Sequence, residues 1–212
     1  MFLQPSSQTI ATDARDYPEW HHGRENYALW YVEIKNSALL DYLEQLRTQF
    51  SDILYQPNQR QFHITLYICG FLTNQKNHWN DDFLIEKLQQ QFNILSQMQL
   101  QSFRLRTYKI KSFSSALFVE VLDIEGMLEH IRSILVSMKV DIAALTYCPH
   151  ITLGLYNKAY ESDLIFKRIE QVQQQNFEFL IDHLTFGHYQ AQTLQGQLIP
   201  HTQLQLGDAC CN

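Results

Sequence analysis

The tetrapeptide His-Ile-Thr-Leu is written twice, as His63–Leu66 and as His150–Leu153, separated by 150 − 63 = 87 residues. That interval is too long for two turns of one helix or two arms of one hairpin. Shifting the chain by 87 also lays Val32-Glu33-Ile34 on Val119-Glu120-Val121, with no gap between the two matches. A whole strand–helix–strand unit therefore recurs at constant length, which predicts a duplicated architecture. A third His-x-Thr, His183-Leu184-Thr185, fails the test, because 183 − 87 = 96 and residue 96 is serine. With 9 His and 11 Thr in 212 residues, about 9 × 11/212, or roughly half of one chance His-x-Thr, is expected at this composition. His183 is the chance occurrence.

Hydrophobic periodicity fills in the repeated unit. "YALWYVEI" (27–34) is aromatic and β-branched and reads as a strand. "NSALLDYLEQLRTQF" places Leu39, Leu40, Leu43, Leu46 and Phe50 at helical spacing, with Asn36 or Ser37 as N-cap. "QFHITLYI" alternates, with Phe62, Ile64, Leu66 and Ile68 on one face and His63, Thr65 and Tyr67 on the other. A helix is expected from Asp82 to Leu95, strands at "SFRLRTYKIKSF" and at 116–122, and a helix over "EGMLEHIRSILVSM". "PHITLGLY" repeats the alternation, with His150, Thr152 and Tyr156 on one face. A helix at about 160–175 and strands at about 177–189 and 195–206 complete the chain. The expected class is α+β: a duplicated bilobal fold of two antiparallel-type sheets flanked by helices, pseudo-twofold about a central groove. Residues 1–25 read as a loosely ordered or draped extension, 26–206 as the domain and 207–212 as a tail.

Residues i and i+2 of a strand share a face, so each His-x-Thr presents an imidazole beside a hydroxyl. Two such pairs facing one cleft suit in-line attack on a phosphodiester. One neutral imidazole removes a proton from the incoming oxygen, and the other, protonated, gives a proton to the leaving oxygen. The threonine hydroxyls can hold the non-bridging oxygens as charge develops. A zinc site would need further Cys, Asp or Glu ligands near the two His, so neither metal nor cofactor is expected. Tyr67 and Tyr156 are candidates to stack on a base, and Arg104 and Arg106, on one face of their strand, to meet a terminal phosphate. Trp20, His21 and His22 are candidates for a lid over the cleft. Glu33 and Glu120 match under the shift, and the duplicated fold position explains them without chemistry.

The paired strand-borne "HITL" segments resemble those of the two-histidine phosphoesterase superfamily. It includes bacterial RNA 2′,3′-cyclic phosphodiesterases (also called 2′-5′ RNA ligases), plant cyclic phosphodiesterases and a splicing-RNA exonuclease. The resemblance spans roughly residues 27–206 and implies a bilobal fold with His63, Thr65, His150 and Thr152 lining the groove. It further implies His150 as general base in hydrolysis and His63 as general acid, with the roles reversed in the backward reaction. Basic or aromatic residues often surround the family's first motif, whereas "NQRQFHITLYICG" offers one arginine, Arg60.

Charge then bounds the substrate. At −6 the chain is not built to grip long nucleic acid through its phosphates, although a local anion pocket is compatible with that charge. The expected partner is a nucleotide or short RNA opened at a 2′,3′-cyclic or 2′-linked phosphate. Alternatives are a cyclic oligonucleotide signal as substrate, a non-catalytic nucleotide-binding module and a protein-interaction domain. Cys69, Cys148, Cys210 and Cys211 form no C-x-x-C pair, and no apolar stretch approaches a membrane span, so reduced thiols in a cytoplasmic monomer are expected.

Overall fold

The strand expected at 27–34 is β1 (Asn26–Glu33), and six of its eight residues are buried. A computed structural model describes residues 1–75, 78–138 and 146–207. After α1 (Pro18–His21) and β1 comes α2 (Ser37–Gln49), opened by the Asn36 side-chain oxygen accepting from the Leu39 amide at 2.9 Å. It buries Leu39, Tyr42, Leu43 and Leu46, residues three and four apart on one face. β2 (His63–Thr73) leads into β3 (Asp82–Leu84) and α3 (Ile85–Gln97). The helix expected from Asp82 starts three residues later, because Asp82, Phe83 and Leu84 pair in parallel with Phe71, Leu72 and Thr73.

The second unit runs β4 (Phe103–Ser112), β5 (Ala116–Leu122), α4 (Met127–Met138) and β6 (His150–Leu155). It is followed by α5 (Ser162–Glu170), β7 (Glu178–Ile181), β8 (His183–Gln190) and β9 (Ile199–Gln205). The single strand expected at 177–189 divides at Asp182. Its first part pairs with β4 of the second half and its second part with β1 of the first.

Among the described residues the strands form one sheet in the order β7-β4-β5-β6-β2-β1-β8-β9, with β3 on β2. The duplication is written into its register. Glu33, Val32 and Tyr31 of β1 face His63, Ile64 and Thr65 of β2. Glu120, Val119 and Phe118 of β5 face His150, Ile151 and Thr152 of β6, each 87 residues further on. The two halves meet at the antiparallel pair Ile64–Ile151, again 87 apart, so the pseudo-twofold passes between the central residues of the two motifs. The two expected sheets are thus the two halves of one path. Ile64, Leu66, Ile151 and Leu153 are fully buried in one core with residues of α2, α3, α4 and α5, which leaves His63 and His150 for the opposite face.

The start of the chain, up to Thr12, is held along the second half by backbone hydrogen bonds. Leu3 N donates to Ser112 O at 3.0 Å, Ile10 N to Ser114 O at 2.7 Å and Thr12 N to Tyr156 O at 2.8 Å, and Leu3 is buried. Of the expected tail, residues 208–212, with Cys210 and Cys211, lie outside the described residues. No helix among the described residues is long and apolar enough to cross a membrane.

Candidate active site

An antiparallel register centred on Ile64–Ile151 sets His63 beside Thr152 and Thr65 beside His150. All four side chains are half-buried on one face. His63 Nδ1 lies 2.8 Å from the Gln61 carbonyl and His150 Nδ1 lies 2.7 Å from the Cys148 carbonyl. A carbonyl only accepts, so each Nδ1 carries the hydrogen and each neutral ring keeps its lone pair on Nε2. Gln61 and Cys148 are themselves 87 apart, so both rings are oriented by the same duplicated device.

An aromatic edge completes each setting. The Tyr31 ring stands 5.8 Å from His63, and the repeat-matched Phe118 stands 5.1 Å from His150, as does Phe113. These apolar neighbours disfavour the imidazolium. Burial, reinforced by the cations Arg60 and Arg47 and by His150 when that ring is protonated, and opposed by the Gln61 carbonyl, lowers the His63 pKa to about 4. Burial lowers His150 as well, against the opposing pull of the Cys148 carbonyl.

A cavity opens on either side of this centre. One, of about 350 Å³, holds His63, Thr65 and Thr152 with Arg47, Asn58, Arg60 and Gln195. The other, of about 740 Å³, holds Thr65 and His150 with Phe2, Ile68, Phe113, Arg132 and Tyr147. The Tyr147 hydroxyl donates to the Thr65 carbonyl at 3.1 Å, and the Arg132 guanidinium lies 4.0 Å from the Tyr147 ring centre. Among the described residues no three His, Cys, Asp or Glu side chains gather as a metal-ligating group.

Four expected binding residues lie elsewhere. Tyr67 and Tyr156 are fully buried and cannot stack on a ligand in the groove. The cause is a pair of β-bulges. The register slips between Trp30 and Tyr31 opposite Leu66–Tyr67, and between Leu117 and Phe118 opposite Leu153–Gly154. A bulge reverses the alternation beyond it, so Tyr67 and Tyr156 turn into the core while Ile68 and Leu155 face the cavities. The Tyr156 hydroxyl lies 2.7 Å from the Ser112 hydroxyl. Arg104 and Arg106 are exposed on β4 beside β7 and line neither cavity; Arg104 pairs with Glu178 at 3.5 Å.

His183 pairs with Asp182 and lines neither cavity. Of the expected lid residues, only Trp20 lines the cavity beside His63. His21 is buried against Asp16, and His22 stacks on Trp79 at 4.1 Å. Glu120 pairs with Lys111 at 2.7 Å. Arg47, Asn58, Gln195, Tyr31 and Phe118 escaped the motif reading. Extending the 87-residue shift to position 31 would have found the last two, both aromatic. Arg47, in the last turn of α2, has no such signature.

The model of the 2′-5′ RNA ligase superfamily matches residues 36–193. In fold the chain is similar to E. coli LigT in its apo form, with TM-score 0.58, 14% identity, and 87% of this chain and 99% of that one covered. It is similar to TT0787 of Thermus thermophilus, with TM-score 0.58, 12% identity, and coverage of 85% and 97%. A structure described as a phosphoesterase gives TM-score 0.57, 13% identity, and coverage of 86% and 99%. No curated protein matches the chain in sequence. The family match takes in both His-x-Thr strands and most of the chain between its two ends, and on that ground the chain belongs to the 2′-5′ RNA ligase superfamily.

Proposed function

We propose that this chain is a metal-independent phosphodiesterase that opens a 2′,3′-cyclic phosphate or a 2′-linked nucleotide or short RNA, using His63, Thr65, His150 and Thr152. The observation that carries the reading is the pair of imidazoles with Nδ1 tied back to Gln61 and Cys148 on one face about the Ile64–Ile151 pair. With Nδ1 tied back, Nε2 is the atom left for proton transfer. In hydrolysis one Nε2 takes a proton from water as its oxygen attacks phosphorus. The phosphorus–oxygen ester bond breaks, and the other ring donates a proton to the departing oxygen. Thr65 and Thr152 donate hydrogen bonds to the non-bridging oxygens.

Both histidines are lowered, so both rings are neutral at pH 7. The ring that serves as acid takes up its proton together with the anionic substrate, whose charge favours the imidazolium. E. coli LigT structures with 3′-AMP, ATP, NADP⁺ and phosphate support a nucleotide on a similar fold.

The test is turnover of a panel of 2′,3′-cyclic, 3′,5′-cyclic and 2′-5′-linked nucleotides, with and without EDTA. Turnover of the first or last class, unchanged by chelator, is expected. His63→Ala or His150→Ala should lower it about a hundredfold or more, and the double variant little further. His183→Ala should leave it intact. An enzyme that ignores the whole panel, or that dies in EDTA and revives with a divalent ion, would falsify the reading.

A further inference from the structure

The chain carries a net charge of −6, yet the cavity beside His63 is lined by Arg15, Arg47 and Arg60 and by no aspartate or glutamate. The three arginines differ in how their charge is met. Arg15 lies towards solvent and is held by Asp13 and Glu19. Arg47 approaches Glu44 at 3.7 Å, but Glu44 is 62% exposed, so solvent screens that pair. Arg60 has no carboxylate in ion-pair contact among the described residues, and burial lowers its pKa with only the Tyr189 hydroxyl opposing.

Arg60 is nevertheless rigidly placed. Its Nε donates to the Gly196 carbonyl at 2.9 Å, and its guanidinium lies 3.9 Å from the Tyr189 ring centre. Its backbone amide donates to Asn58 Oδ1 at 3.2 Å, and its carbonyl accepts from Arg47 Nη2 at 3.4 Å. Arg47 is fixed the same way, with Nε on the Leu153 carbonyl at 3.1 Å and its plane 3.9 Å from the Phe62 ring centre. A half-buried cation held this firmly without a counter-ion costs free energy until an anion arrives. A guanidinium fork fixed in advance suits phosphate, because little further ordering is needed on binding.

The reacting phosphate already has its own ring of groups in the two His-x-Thr pairs. The cavity on the other side, next to His150, also holds one arginine, Arg132, but its guanidinium lies against the Tyr147 ring and the rest of the wall is largely apolar, with Phe2, Ile68, Phe113 and Tyr147, so the two sides of the centre differ in chemistry. We infer that Arg60, supported by Arg47, forms a second anion subsite on the His63 side, and that the substrate carries a further phosphate there. This rests on the phosphodiesterase reading and narrows it to nucleotides bearing a phosphate besides the one that reacts. At about 350 Å³ the cavity holds more than a lone phosphate group.

The experiment is calorimetric titration of the full chain with 3′-AMP and adenosine 3′,5′-bisphosphate, and with the 2′ isomers of both. In at least one isomer series the bisphosphate should bind about tenfold tighter or more, the worth of a charge-assisted contact. In Arg60→Gln, checked for folding by circular dichroism, that ratio should collapse towards one; in Arg60→Lys part of it should return. Equal affinity of the wild type for mono- and bisphosphate in both series overturns the subsite, whatever the variants do. So does an Arg60→Gln that weakens both ligands equally, since Arg60 would then serve the reacting phosphate. A wild type that prefers the bisphosphate but turns over no cyclic phosphate keeps the subsite and loses the hydrolase.

Discussion

His63 and His150 each donate Nδ1–H to a carbonyl two residues upstream, and an aromatic edge presses on each ring. The first contact selects the tautomer, and the apolar surroundings lower the pKa. A pH dependence follows. The profile of kcat/KM reports the free enzyme, and both groups are lowered from 6.5. The expected bell therefore peaks on the acid side of pH 6.5, with apparent values that belong to the coupled pair. A maximum above neutrality in a kcat/KM profile would remove this account of the electrostatics. Between 6.5 and about 4 the unfolded His63 binds a proton that the folded one does not, so stability falls as pH drops through that window. At this scale the His-x-Thr residues were legible because the repeat singled them out. Arg60 was visible only as a lone basic residue, since nothing local says that its charge goes unmet.

Strands and helices were legible wherever one face is buried, because burial imposes a period of two or near 3.6 on the sequence. α2, β2 and β5 fall close to where the alternation and spacing put them. The bulges were not legible. One residue of slip leaves composition untouched yet exchanges the two faces beyond it, which is why Tyr67 and Tyr156 sit in the core. A similar slip lies between Phe186 and Gly187 where β8 pairs with β9, and a Cβ at Gly187 would stand 2.5 Å from the Ile199 carbonyl oxygen. That neighbour is backbone and cannot rotate aside. Gly187→Ala should destabilise the protein by about 1–3 kcal/mol, read from the shift of the denaturant midpoint. An unchanged midpoint would mean that the β8–β9 edge yields freely.

The first residues of the chain are tied across the molecule, and Arg24 anchors the point where that segment enters β1. Its guanidinium reaches Asp81 at 2.5 Å and Asp82 at 2.7 Å and lies 3.8 Å from the Phe71 ring centre. Asp82 is only 5% exposed, so Arg24→Ala would take a charge-assisted contact away from a buried carboxylate. A loss of roughly 2–4 kcal/mol is expected in a urea melt, with faster proteolytic cleavage ahead of β1. An unchanged melt and cleavage pattern would show that the contact does not anchor the segment.

By itself the sequence determined the duplication, the strands that bear the two motifs and the sharing of one strand face by each histidine and its threonine. Each follows from periodicities that any folded form of this chain must satisfy, since apolar faces have to be buried wherever they occur. Only the tertiary structure decided that the halves join at Ile64–Ile151 and that the aromatic residues after each motif turn inward. It also decided that α2, the loop before β2 and the N-terminal segment wall one cavity with arginines. Those outcomes depend on register, bulges and the charges left unmet when distant segments pack together. Such long-range quantities leave no period in the sequence to read.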